Sequence, residues 1–203
     1  MSLREKKKIE TKSRIFEVSG RLFKEKGFEN TTVDEITKEA GIAKGTFFNY
    51  FPTKEALLIY FGEQKDELIY NLIENETKRG APTKEKIKNF LVHLAESYEK
   101  DKELTKLLIF EYRRYIGYSG LRPGEDKSRS HRLSMILHDL LEVGVENGEV
   151  SDDIKLTKAA EILTAVYFHS LIIWLKSETA FSFSKDISGK IDMLFEGIGD
   201  RMQ

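Results

Sequence analysis

The side chains best placed to do chemistry lie between Thr32 and Asn49. Lys44, Thr46 and Asn49 carry hydrogen-bonding groups within six positions, interleaved with the apolar Phe47 and preceded by Ala40-Gly41-Ile42. At helical spacing Ile36, Ala40, Ile42 and Phe47 can share one small core. That leaves Lys44, Gly45, Thr46, Phe48 and Asn49 on the outer side of a short helix, towards its N-terminus. Gly41 stands where the chain must swing through a tight turn, which favours positive φ. The chemistry of such a face is recognition by hydrogen bonds. A helix-turn-helix corner offers this end and this face to the major groove of DNA.

Other chemistries find no footing in the sequence. Cysteine is absent, which excludes a thiolate metal site, a disulfide framework and a cysteine nucleophile. There is no Walker-type phosphate loop, no Gly-x-Ser-x-Gly elbow and no His-Glu-x-x-His pair. His93, His131, His138 and His169 form no metal-ligand pattern, although His131 and His138 lie two turns apart on one helix. No catalytic residue, cofactor or metal is expected. The net charge of −1 hides a division, because residues 1–54 hold 12 basic and 8 acidic residues and the remainder is acidic. A basic head on an acidic body suits a head that meets a polyanion. The N-terminus has no secretory signal, and the longest uncharged stretch, Ile162 to Leu175, is 14 residues, short for a membrane span. A cytoplasmic protein without membrane contact is expected.

The elements that must position these groups read as helices throughout. Ile15, Val18, Ser19, Leu22 and Phe23 stripe a helix from about Arg4 to Lys26, closed by Gly27. Thr32 caps the next, with Glu35 three residues on. The recognition helix runs from about Lys44 to Tyr50, and Thr53 starts a long helix towards Thr77. Further stripes follow around Ile87–Tyr98, Leu104–Tyr115, Leu133–Val145, Leu156–Lys176 and Lys185–Met202, with a loop at Gly117–Gly124. No period-2 segment appears. The fold class expected is all-α, with a helix-turn-helix domain over residues 1–52 and a larger helical domain over residues 53–203.

From Phe16 to Leu57 the wording is more specific than the spacing. Leu22-Phe23, Gly27-Phe28, Thr31-Thr32-Val33, Ala40-Gly41-Ile42, Lys44-Gly45-Thr46-Phe47-Phe48, Tyr50-Phe51 and Lys54 resemble the DNA-binding domain of the TetR family of transcriptional regulators. Gly148-Glu149-Val150, Trp174 and the ending with Ile191, Leu194, Phe195 and Gly197 echo the regulatory domain of the same family, which adds ligand binding and dimerisation to the domain over residues 53–203. The resemblance implies that Lys44, Gly45, Thr46 and Asn49 meet base edges, and that Thr32, Phe48, Tyr50 and Lys54 lie along the DNA backbone. This chain departs from the family at three points. Ala43 stands where a Ser or Thr often caps the recognition helix, Phe48 replaces a Tyr and loses its hydroxyl, and Thr37 replaces a small Ala at a helix crossing. The expected partner is double-stranded DNA with a palindromic operator.

The helix from Leu156 to Lys176 is apolar on every side and must be covered on every side, by its own domain or by a second subunit. A homodimer interface is expected from Ala159, Leu163, Val166 and Ile173 together with Ile187, Ile191, Leu194 and Ile198. Phe110, Tyr112, Tyr115, Tyr167, Phe168, His169 and Trp174 are candidates to line a pocket for a small apolar or aromatic effector, the alternative being plain core. The function expected is ligand-responsive repression. The rivals are an architectural DNA-binding protein without an inducer and an all-α enzyme.

Overall fold

The computed structural model describes residues 2–118, 129–179 and 181–197, and among these the regular structure is helical throughout. The helices are α1 (Leu3–Lys26), α2 (Val33–Ala40), α3 (Lys44–Tyr50), α4 (Glu55–Thr77), α5 (Thr83–Glu99), α6 (Lys102–Tyr118), α7 (Arg129–Glu146), α8 (Leu156–Lys176) and α9 (Phe183–Glu196). Packing divides the chain into two units, residues 1–67 with 102–121, and residues 68–101 with 122–203. The boundary expected after residue 52 falls inside the first unit, at the turn before α4.

In the first unit the stripe of α1 buries Ile15, Leu22 and Phe23 against Ile36 of α2, Phe47 and Phe51 of the α3 segment, Leu57, Leu58 and Phe61 of α4, and Leu108 of α6. Ser19, in the middle of that stripe, satisfies its hydroxyl on the Ile15 carbonyl at 2.6 Å. Gly20 allows the Phe61 ring close to α1, since a Cβ there would come within 3.2 Å of it. Phe16 stacks on that ring with centroids 4.0 Å apart. Thr37 is buried and donates to the Asp34 carbonyl at 3.1 Å, so its extra hydroxyl is absorbed within α2.

The second unit buries the stripes of α5 (Ile87, Phe90, Leu91, Leu94), α7 (Leu133, Leu137, Leu140, Leu141), α8 (Leu163, Tyr167, Leu171, Trp174) and α9 (Phe183, Ile187, Ile191). Gly144 of α7 lies so close to Thr83 and Val150 that a Cβ would approach them to 2.8 and 2.7 Å. Two distant carboxylates cap helices here. Glu149 Oε2 accepts from the Thr83 amide of α5 at 2.6 Å, and Glu99 Oε1 accepts from the Phe183 amide of α9 at 2.6 Å. By length and composition α8 could cross a membrane. It packs on α7 and α9 within this unit.

Candidate nucleic-acid interface

The corner between α2 and α3 is built as its sequence dictates. Thr32 caps α2 in a full capping box: its hydroxyl accepts from the Glu35 amide at 3.2 Å while Glu35 Oε2 accepts from the Thr32 amide at 2.9 Å. Gly41 ends α2 in the left-handed region, with φ 63° and ψ 38°. That backbone favours glycine, because a Cβ would crowd the following carbonyl. The Ile42 amide then closes on the Thr37 carbonyl at 3.0 Å, and α3 starts two residues later. Ala43, at the N-cap of α3, makes no side-chain hydrogen bond. Fully buried Phe47 secures the helix instead, against Ile36 and Phe51.

This anchoring turns Lys44, Gly45, Phe48 and Asn49 outward and leaves Thr46 and Tyr50 half-buried. Gly45 has nothing within 4 Å of where a Cβ would sit, so close approach from outside meets only backbone. Phe48 is 44% exposed, an unusual state for a phenyl ring, and stands edge-on to Phe47. Lys44 Nζ lies 2.7 Å from Asp34 Oδ1, with both side chains more than half exposed. Such a surface pair is worth about 0–1 kcal/mol, a small obstacle to a base or phosphate that would replace it.

Two residues expected at the DNA backbone have other work within the protein. Lys54 Nζ donates to the carbonyls of Phe28 at 2.7 Å, Thr31 at 2.9 Å and Glu29 at 3.4 Å, and lies 4.3 Å from the Phe28 ring centroid. An ammonium has three N–H bonds, and this geometry directs them into the turn between α1 and α2. Thr32 gives its hydroxyl proton to Glu35 Oε2 at 3.0 Å. Glu35 in turn is held by Lys26 at 2.6 Å, and that bond, followed by those from Thr32, lowers its carboxyl from 4.5 to about 2.

Sequence reasoning missed other contributors. Lys12 of α1 stands 3.8 Å above the Tyr60 ring and 5.8 Å from that of Phe51, which pins α1 beside the C-terminal end of α3. The part of α1 before it, residues 3–10, is exposed on every side and carries Arg4, Lys6, Lys7 and Lys8. Arg21 and Glu39 tie α1 to α2. Only the capping-box spacing announced any of these interactions.

The candidates outside this surface scatter. Tyr167 packs on Phe183 and Phe168, and Trp174 stacks on Phe183 with centroids 5.8 Å apart. Both rings are buried with Phe183 of α9 in the core of this unit. Phe168 is half-buried, His169 is exposed, and Phe110 is exposed on α6 of the first unit. The side chains of Tyr112 and Tyr115 lie outside the described residues. Of the residues expected at a dimer interface, Leu163, Ile187 and Ile191 are buried inside their own unit. Ala159, Val166 and Leu194 are half-buried, Ile173 is exposed, and Ile198 lies outside the described residues. Ile162 and Ala165 of α8 and Met193 of α9 are also exposed.

Residues 15–61 match the family model for bacterial regulatory proteins of the tetR family. The HTH-type transcriptional regulator YerO of Bacillus subtilis (strain 168) is 39% identical over 104 residues, an alignment that covers 50% of this chain and 36% of that protein. FadR from Bacillus subtilis, solved in complex with stearoyl-CoA, superposes with a TM-score of 0.72 at 20% identity, over 92% of this chain and 99% of that one. FadR from Thermus thermophilus, a transcriptional repressor solved with lauroyl-CoA, does so with a TM-score of 0.64 at 26% identity, over 95% and 97%.

Proposed function

Because the chain belongs to the TetR family of transcriptional regulators, we propose that it represses by binding a palindromic operator as a homodimer and leaves when an acyl-bearing effector binds. The single observation that carries the DNA-reading part is the corner at Gly41, which holds Phe47 inward and sets Lys44, Gly45 and Asn49 outward in the basic part of the chain. Lys44, Thr46 and Asn49 face base edges, and Gly45 permits close approach. Tyr50 and Phe48 lie towards the DNA backbone with Thr32, whose helix N-terminus favours an anion. Lys54 acts through the turn it holds.

Two α3 helices must reach half-sites separated by about 34 Å, one turn of DNA. The exposed apolar face of α8, with Ile162 53% and Ile173 43% exposed, and Met193 of α9, 55% exposed, support dimerisation. Such a face needs a cover, and a second copy gives an isologous one. The Thermus thermophilus FadR solved with lauroyl-CoA supports an acyl-bearing effector over an aromatic one, as does the burial of Tyr167 and Trp174 in core. Release requires differential affinity only: tenfold weaker DNA binding is about 1.4 kcal/mol, and operator DNA must weaken effector binding by the same factor.

The test is fluorescence anisotropy on DNA from upstream of the protein's own gene, with and without lauroyl-CoA. Specific binding that lauroyl-CoA weakens supports the reading. Binding of equal strength to unrelated DNA, indifferent to acyl-CoA, points to the architectural role instead.

A further inference from the structure

On the α4–α5 side of the second unit, one carboxylate is out of keeping with its surroundings. Glu76 is only 3% exposed. Its Oε1 receives Arg79 Nη1 at 3.0 Å and faces His93 Nδ1 at 3.7 Å, whereas Oε2 is buried with no hydrogen-bond partner. Leaving a desolvated charged oxygen without a donor is costly, so such a group calls for an explanation in something that supplies the donor. Glu76 lines a groove of about 510 Å³. Leu68, Leu72, Glu76 and Arg79 follow one another along one face of the α4 segment, and His93, Glu96 and Ser97 of α5, with Lys100 just after it, stand on the other wall. An apolar run therefore begins one turn away from a carboxylate oxygen that lacks a donor, with Arg79 beyond that oxygen and Lys100 towards the apolar end.

This pattern discriminates between ligand heads. A free fatty acid ends in a carboxylate, which has no proton to give and is repelled by Glu76. A neutral N–H donor next to an alkyl chain matches, and an acyl thioester of coenzyme A presents amide N–H groups within its pantetheine arm. Its phosphates, further along, suit Arg79. We propose that this groove holds the head of such an acyl conjugate, with Glu76 Oε2 accepting from an amide N–H, and that Glu76 selects the conjugate over the free fatty acid. The inference rests on the acyl-effector reading above and adds the residue that reads the head.

Calorimetry on the full chain with lauroyl-CoA and with laurate at pH 8 tests it, using the wild type, Glu76→Gln and Asn75→Trp. Asn75 is on the groove and outside the core, so an indole there fills the space without disturbing the packing beneath. The wild type should bind lauroyl-CoA at least about tenfold more tightly than laurate, the least expected of one hydrogen bond to a charged group. Glu76→Gln should lose most of that ratio, and Asn75→Trp should weaken lauroyl-CoA binding about tenfold or more. Circular dichroism checks the fold of each variant, and Asn75→Trp decides alone if Glu76→Gln does not fold. Laurate bound as tightly as lauroyl-CoA by the wild type overturns the role of Glu76. Undiminished lauroyl-CoA binding in the folded variants overturns the groove and leaves the effector reading standing. A wild type that binds neither ligand ends both.

Discussion

Replacing Lys54 by Met separates two jobs that a lysine at this position can do. Methionine keeps most of the aliphatic stem and removes the ammonium, which reaches three carbonyls of the α1–α2 turn at 2.7, 2.9 and 3.4 Å and lies over the Phe28 ring. A hydrogen bond from a charged donor contributes about 1.5–3 kcal/mol. Lys54 is half-buried, so water can recover part of what the carbonyls give up, and the longest of the three bonds adds little. A net loss of about 2 kcal/mol follows, or roughly 4–8 °C in Tm for a chain of this size. Thermal unfolding by circular dichroism measures it. Anisotropy on a duplex across a salt series measures the other job, since each lysine–phosphate pair removed flattens the slope of log K against log salt by about 0.9, or about 1.8 for the two copies of a homodimer on one operator. If the ammonium straps the turn, Lys54→Met lowers the Tm and keeps the slope. An unchanged Tm with a slope flatter by about 1.8 would refute this reasoning and return Lys54 to the DNA backbone.

The exposed lysines at the start of α1 make the opposite case. Replacing Lys6, Lys7 and Lys8 with Ala should leave the Tm in place and flatten the salt slope by up to about 5.4 if all three meet phosphates in both protomers; an identical slope removes α1 from the interface. On the acid side, Glu35 has a folded value of about 2 against an ordinary 4.5. Its contribution is therefore complete above about 4.5 and fades as pH falls towards 2, and Glu35→Gln should flatten stability against pH across that window. Ile173→Glu places a charge on the exposed face of α8 and should shift sedimentation from dimer to monomer at micromolar concentration, whereas Leu163→Glu should unfold the second unit; a dimer persisting in Ile173→Glu moves the interface elsewhere.

The sequence announced those parts of the structure whose causes are local. Gly27, Gly41 and Gly148 end helices at positive φ where the stripes stop, and Thr32 with Glu35 forms the capping box that its spacing implies. Interactions made at a distance stayed hidden. Nothing around Lys54 indicates that its acceptors lie 23 to 26 residues earlier, or that Glu99 reaches 84 residues forward to cap α9. The face of α8 could not be chosen from periodicity, because a helix apolar on all sides has no preferred inside. Leu163 and Ile173 read alike until Phe183, Ile187 and Ile191 take one side. Nothing in the sequence sets Glu76 apart from the charges around it, and only its burial does.

The uncapped, seven-residue α3 has an evolutionary consequence. Its stability comes from Phe47 and from the turn at Gly41, and its outward positions 44, 45, 48 and 49 contribute little beyond one surface ion pair. Substitutions there can alter which operator is read without bringing the protein near its stability threshold, so most of them survive long enough to be selected on binding alone. Substitutions at Phe47 or Gly41 are removed by misfolding first. Lineages descended from this chain should therefore diverge in their operators while the corner that presents α3 stays fixed.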